Sequence, residues 1–250
     1  MTVADITESL GARVVVVSPH LDDAILSLGA TIWRAAQAGA MVEVVTVFSG
    51  NPESTEAGKE WDHRTGFATV GAAAARRRVE DEHACRIVGA TTRWLSHGPS
   101  YDYCTDAIYR DVAHACSGAD SALIPGFPLA HRDHAILTRL LLEHGLPAPQ
   151  VALYVEQPYA FNRRTSRPVP VLSDDLAEVA GGQPNWTRAR ASLGDVLVKR
   201  RAIRAYASQL HAIGIGLEKG ARLERMLWHE HRLGGEGIGF LRSVRAINGD

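Results

Sequence analysis

His20, Asp22 and Asp23 fall within one short turn of the 250-residue chain, and their types and spacing define a chemistry. Imidazole and carboxylate both ligate a divalent metal of the zinc type. A second carboxylate left off the metal can take a proton from water that the metal has acidified. A short acid here can also cap a following helix, but capping needs one aspartate and leaves His20 unexplained. A second cluster, His131-Arg132-Asp133-His134, adds two histidines three residues apart. Residues at that spacing share one side of a helical turn. His134 joined to His20 and Asp23 makes a His₂Asp donor set with an open position for water, the pattern of catalytic rather than structural zinc. Asp133 then serves as the carboxylate that fixes a histidine tautomer.

These residues need elements that bring them together. Val14 to Val17 have the length and branching of a strand buried on both faces. His20 to Asp23 therefore stand beyond its carboxyl end, where open α/β sheets bind ligands. Ile25, Leu28, Ile32, Trp33 and Ala36 recur at helical spacing, Gly39 stops the helix, and Met41 to Phe48 reads as a second strand. That is a right-handed βαβ unit. The His131 cluster follows another candidate strand, Ser121 to Ile124, so two strand ends flanking a switch point would bring both clusters into one crevice. The SPHLDD turn lacks a glycine-rich phosphate loop, and its two acids would repel a pyrophosphate, which argues against a nicotinamide oxidoreductase.

The expected fold is α/β: a Rossmann-like, mostly parallel sheet with helices on both faces, as a single domain over residues 1–250. Its core spans about 13–160, with an irregular segment and helices over about 161–250. Gly50 to Ala75 reads as a long loop beside the site. Further expected elements are a helix over Arg76 to Val88, a strand over Thr92 to Leu95 and a helix over Asp106 to Ala115. Ala152 to Val155 reads as the last sheet strand, Phe161 to Trp186 as an irregular excursion, and Val196 to Leu210 and Leu217 to Leu227 as closing helices.

Composition narrows the partner. Lys and Arg number 27 against 28 Asp and Glu, a net charge of −1, so no global field recruits nucleic acid or an anionic membrane. The expected partner is a small molecule. Cys85, Cys104 and Cys116 lack CxxC spacing and read as core residues or free thiols in a reducing cytoplasm. The N-terminal MTVADITESLGAR does not read as a signal or transit peptide, and no apolar run approaches the ~20 residues that span a bilayer. The expected location is cytoplasmic.

SPHLDD (18–23) and HRDH (131–134) are joined by Arg77-x-x-Glu80, Val88-Gly89, the YVEQPY run (154–159) and Lys199-x-x-Ala202-Ile203-x-x-Tyr206-x-Ser208-Gln209. On these segments the chain resembles the LmbE-like, or PIG-L, family of zinc-dependent N-acetylglucosaminyl deacetylases. The resemblance runs over roughly 13–160 and the 199–209 helix. It implies one Zn²⁺ per chain on His20, Asp23 and His134, with Asp22 as general base. It also implies His131 as the group that stabilises the oxyanion or protonates the leaving amine. Imidazole suits Fe²⁺ and other divalent ions as well. The family's first motif often reads AHPDDE; here it is PHLDDA, with Leu21 and Ala24 at positions that are not ligands in this scheme.

The implied substrate is an amino sugar or glycoconjugate that loses an N-acetyl or other N-acyl group. The same site on another substrate would make a thiol-conjugate amidase or a deacylase that tailors a natural product. A non-catalytic binding protein of this fold would show erosion of the metal set, and no member is missing. Arg64, Asp62, Asp102 and Arg77 are candidates to hydrogen-bond sugar hydroxyls or an anionic group, with Trp61 and Phe67 to stack on a sugar face. The runs Arg76–Arg78 and Lys199–Arg201 read as solvated helix faces. His63, His83 and His97 read as structural or surface residues.

Overall fold

The computed structural model describes residues 1–98, 105–162, 169–215 and 222–241. Its strands are β1 (Thr2–Ala4), β2 (Arg13–Ser18), β3 (Met41–Thr46), β4 (Thr91–Trp94), β5 (Ser121–Phe127), β6 (Gln150–Val155), β7 (Asn185–Ala189) and β8 (Glu236–Phe240). The helices are α1 (Thr7–Leu10), α2 (Asp23–Gln37), α3 (Glu60–Arg64), α4 (Val70–Ile87), α5 (Thr105–Cys116), α6 (Arg132–His144), α7 (Tyr159–Asn162), α8 (Asp174–Val179), α9 (Leu193–Ile203), α10 (Ala207–Leu210) and α11 (Arg222–Arg232).

Among the described residues one sheet carries all eight strands in the order β1-β7-β8-β6-β5-β2-β3-β4. Every pairing is parallel except the two made by β8, which runs antiparallel to both β6 and β7. The chain winds outward from β2 to β3 and β4, then returns to place β5 on the other side of β2. That reversal is the switch point anticipated from the two motifs, and it opens a crevice at the carboxyl ends of β2 and β5.

The valines of β2 show why both faces are covered. Val14 and Val16 point into one core with Ile25, Leu28 and Ile32 of α2 and Ile203 of α9. Val15 and Val17 point into the other, with Val112 of α5 and Leu137 and Leu141 of α6. Alternation along a strand sends neighbours to opposite faces, and a run of four valines fills both layers.

Three expectations are corrected. The 50–75 segment is not a structureless loop: it holds α3, and α4 begins at Val70 rather than near Arg76. Thr69 caps α4 by accepting from the Ala72 N–H. Gly71, a poor helix former, obscures that start, yet it is needed because a Cβ there would lie 2.3 Å from the Ser54 carbonyl oxygen. Second, β6 is not the last sheet strand. β7 and β8 extend the sheet, and β8 reads as turn-like in sequence because of Gly237 and Gly239. A Cβ on Gly237 would meet Val155 Cγ2 at 2.5 Å, so the glycine admits β6's side chain. Third, the expected helix over 196–210 is two helices, α9 and α10; the helix expected over Leu217 to Leu227 is met by α11, which continues to Arg232, and the part of that expectation before Arg222 lies outside the described residues. Among the described residues no helix is long and apolar enough to cross a membrane. Cys85 and Cys116 are buried free thiols, and Cys104 lies outside the described residues.

Candidate metal centre

The SPHLDD turn is tied by its own hydrogen bonds. Ser18 Oγ donates to the His20 carbonyl (2.6 Å) and accepts from the Ala24 N–H (3.0 Å), while the His20 N–H donates to Asp23 Oδ2 (2.9 Å). Asp22 stands at the N-cap of α2 but makes no side-chain capping bond. Its carboxylate is therefore not committed to the helix.

Three donor atoms converge. His20 Nδ1 lies 3.1 Å from His134 Nε2 and 3.2 Å from Asp23 Oδ2, and His134 Nε2 lies 3.1 Å from that same oxygen. Tetrahedral bonds of about 2.0–2.1 Å to a zinc ion would place donors ~3.3 Å apart, so this nearly equilateral triangle has the size such an ion requires. Each imidazole is backed by its own carboxylate: His20 Nε2 meets Asp133 Oδ2 at 2.9 Å, and His134 Nδ1 meets Glu156 Oε2 at 3.1 Å. A nitrogen that donates to a carboxylate leaves the other with its lone pair directed at a metal. His20 thus presents Nδ1 and His134 presents Nε2.

His131 sits differently. It is the N-cap of α6, and its Nδ1 accepts from the Asp133 N–H at 3.2 Å. Ring nitrogens of His20, His131 and His134 do lie within 4.8 Å of one another. Asp23 closes a tighter triangle, however, and one lone pair of His131 is already engaged. The His131 ring stands edge-on to His20, 4.9 Å between centroids, with 44% of its side chain exposed.

Burial would depress the pKa of His20, but its hydrogen bonds to Asp133 and Asp23 outweigh that and hold it up at about 9. For His134 burial is likewise overcome, by the Asp23 charge and by bonds to Asp23 and Glu156, to about 10. Asp23 is held below the carboxylate range because His134 and His20 override its burial. Asp22 is pushed up to about 7 by burial and by the adjacent Asp23 charge. Burial lowers His131, reinforced by the His20 and His134 charges. The carboxylates around the triangle favour positive charge there, which is the electrostatic condition for holding a cation.

A cavity of about 660 Å³ opens onto this centre, with Asp22, Leu26 and Phe48 among the residues that line it. Along α4, Val70, Ala74 and Arg77 face it at helical spacing, and Trp61 and Asp62 come from α3. Across from them stand Tyr159, whose ring is perpendicular to His134 at 5.5 Å, and Gln209. Arg77 reaches the cavity but spends its guanidinium on Asp62 Oδ1 (2.9 Å) and Thr65 Oγ1 (2.8 Å), over the Phe67 ring. Arg64 is exposed, stacks on Trp61, and is not among the lining residues. Asp102 lies outside the described residues.

Two residues of this centre have no assigned part in the sequence reading, Glu156 and Gln209. Glu156 directly follows β6, and a buried strand running straight into an acid is the signal that singled out the end of β2. Gln209 Nε2 donates to the Leu21 carbonyl at 2.7 Å, bracing the turn from which Asp22 projects. The brace is anchored on α4: Glu80 accepts from the Ser208 N–H (3.0 Å) and Oγ (2.7 Å), and Asp81 accepts from Tyr206 Oη (2.7 Å). The Glu80 and Tyr206-x-Ser208-Gln209 motifs are thus two halves of one contact.

Comparison with solved structures places this architecture among deacetylases. The A40926 pseudoaglycone deacetylase Dbv21 is 26% identical, with 93% of this chain and 98% of that chain covered and a TM-score of 0.74. The zinc-inhibited form of teicoplanin deacetylase Orf2 is 21% identical over 94% of this chain and 99% of that one, with a TM-score of 0.73. The N,N'-diacetylchitobiose deacetylase from Pyrococcus horikoshii is 20% identical over 94% and 85%, with a TM-score of 0.58. No curated protein matches the chain. The family model described as PIG-L, GlcNAc-PI de-N-acetylase, matches residues 15–144, more than half of the chain and the span that holds both motifs. With the motifs, the switch-point crevice and the family model in agreement, the chain belongs to the PIG-L family.

Proposed function

We propose that this protein is a metal-dependent amide hydrolase that removes an N-acetyl or other N-acyl group from an amino sugar or its conjugate. The observation that carries the reading is the triangle of His20 Nδ1, Asp23 Oδ2 and His134 Nε2, with edges of 3.1–3.2 Å, beside an uncommitted Asp22. Two imidazoles and a carboxylate are a zinc donor set, and Fe²⁺ accepts the same atoms. A divalent ion held by these three residues supplies Lewis acidity, which acidifies water and polarises the amide carbonyl.

The protein's own groups do the rest. Asp22 takes a proton from the attacking water and passes it to the departing amine. It makes no capping bond to α2, so its carboxylate is free to take and release that proton. His131, with Nδ1 engaged by the Asp133 N–H, has its other nitrogen left to donate to the carbonyl oxygen as negative charge develops there. The cavity has a volume usual for small-molecule sites, and Trp61 and Tyr159 offer apolar faces to a sugar ring. The solved structures described above are named as deacetylases of A40926 pseudoaglycone and of N,N'-diacetylchitobiose, which supports an acylated amino sugar as the substrate here.

The test is hydrolysis of N-acetylglucosamine and N,N'-diacetylchitobiose by metal-free protein before and after zinc is restored, with released amine quantified. Turnover that appears only with added metal is expected. Amine release by the metal-free protein at the same rate would overturn the metal-dependent reading.

A further inference from the structure

Glu156 is buried to 1% exposure, and the His134 ring it meets is sealed completely. Its backbone is fixed on both sides. The Glu156 N–H donates to the Phe127 carbonyl at the end of β5 (2.6 Å). The next N–H, of Gln157, donates to Ser27 Oγ (3.1 Å), one turn beyond Asp23 on α2. Gln157 Nε2 also reaches Glu230 on α11 at 3.4 Å. The carboxylate is thus held against His134 by three separate parts of the fold. Burying a carboxylate is costly unless it is paired and hydrogen-bonded, and Glu156 finds His134 Nδ1 together with a backbone hydrogen bond from Leu129.

We propose that Glu156 is a positioning residue for His134: by accepting its Nδ1–H it fixes the tautomer whose Nε2 lone pair points at Asp23 and His20, and so sets how tightly the site holds a divalent ion. This rests on the metal assignment made above. Asp133 stands in the same relation to His20, but on its opposite nitrogen, so the two rings are locked in complementary tautomers. The difference is access. His20 is 25% exposed at its side chain, whereas the His134–Glu156 pair is closed to solvent. Water cannot take over when Glu156 is changed.

The experiment is titration of metal-free wild type and Glu156→Gln with Zn²⁺ and with Co²⁺ against a chromophoric chelator, recording the cobalt absorption band and the Tm of each metal-free protein. The expected result is a dissociation constant raised about 10- to 100-fold, with an altered cobalt band. Unchanged affinity and an unchanged band would overturn the proposal even if Tm fell, because a purely structural role moves Tm and leaves the surroundings of the ion as they were. Glu156→Asp keeps the charge and withdraws it by one methylene. Should the Gln variant not fold, weaker binding in Glu156→Asp supports the proposal and equal binding overturns it. Wild-type protein that takes up neither ion defeats the metal assignment itself, and the proposal with it, before any variant is compared.

Discussion

Asp22 and Asp23 are adjacent, yet their surroundings drive their pKa values in opposite directions. Asp23 is stabilised as an anion by two imidazoles, while Asp22 is desolvated beside that anion and pushed up to about 7. Carboxylates split in this way take different roles. In the proposed reaction Asp22→Asn should lower kcat by about 10²- to 10⁴-fold and keep the metal, whereas His134→Ala should lose both. Steady-state rates combined with metal content check this, and an Asn variant with wild-type kcat would remove Asp22 as the base. At this scale the sequence was informative because the motifs are compact: His20, Asp22, Asp23, His131, Asp133 and His134 lie in two short segments, and the fold brings all six together. Glu156 and Gln209 are single residues whose partners lie 22 and 188 positions away in sequence. No local spacing identifies such a pair.

The elements were legible where burial follows a period and obscured where a glycine serves packing. β2, α2 and β3 emerge as the pattern predicts, while α4 begins earlier than the pattern allows because Gly71 stands in its first turn. Gly71→Ala forces a methyl against the Ser54 and Pro52 carbonyls, and should cost about 1–3 kcal/mol, as overpacking does, read as a lowered midpoint in denaturant unfolding. On the same helix Asp81 is raised to about 6 by burial, against the hydrogen bonds from Trp94 and Tyr206. Its folded-state pKa exceeds its ordinary 3.8, so between the two values the native state holds the proton more tightly. The stability this contributes is complete below pH ~4 and is lost as pH rises through about 6. Stability measured across that window should fall more steeply for wild type than for Asp81→Asn. Equal slopes would mean that Asp81 titrates as an ordinary acid.

For the molecule as a whole, the C-terminal third was the part least readable. It was expected as an irregular excursion followed by helices with a solvated Lys199–Arg201 face. The helices are there as α9, α10 and α11, but this part also contributes β7 and β8 to the sheet, and Lys199 is fully buried. Lys199 Nζ joins Glu230 of α11 (2.6 Å) to Glu236 of β8 (2.7 Å), and Glu236 in turn accepts from the Ala30 and Thr31 N–H groups of α2. A basic run gives no sign of this in sequence, since its acids lie more than thirty residues on and only packing brings them back. Lys199→Met would leave two buried carboxylates facing each other without their cation, and should cost about 3–5 kcal/mol. Chemical unfolding measures it, and a loss below 1 kcal/mol would mean that the pair is screened by water.

The valines of β2 carry a further consequence. Because Val14 to Val17 satisfy the cores on both faces, sliding the strand by one residue would exchange one buried valine for another at little hydrophobic cost, while turning every side chain over. Hydrophobicity alone therefore leaves the register of this strand almost free. It is the polar pins at the two ends that choose it: Asp120, accepting from the Ala12 and Arg13 N–H groups at 2.8 Å each, and the Ser18 hydroxyl beyond the last valine. The placement of His20 thus depends on an aspartate at the opposite end of the strand as much as on the serine beside it.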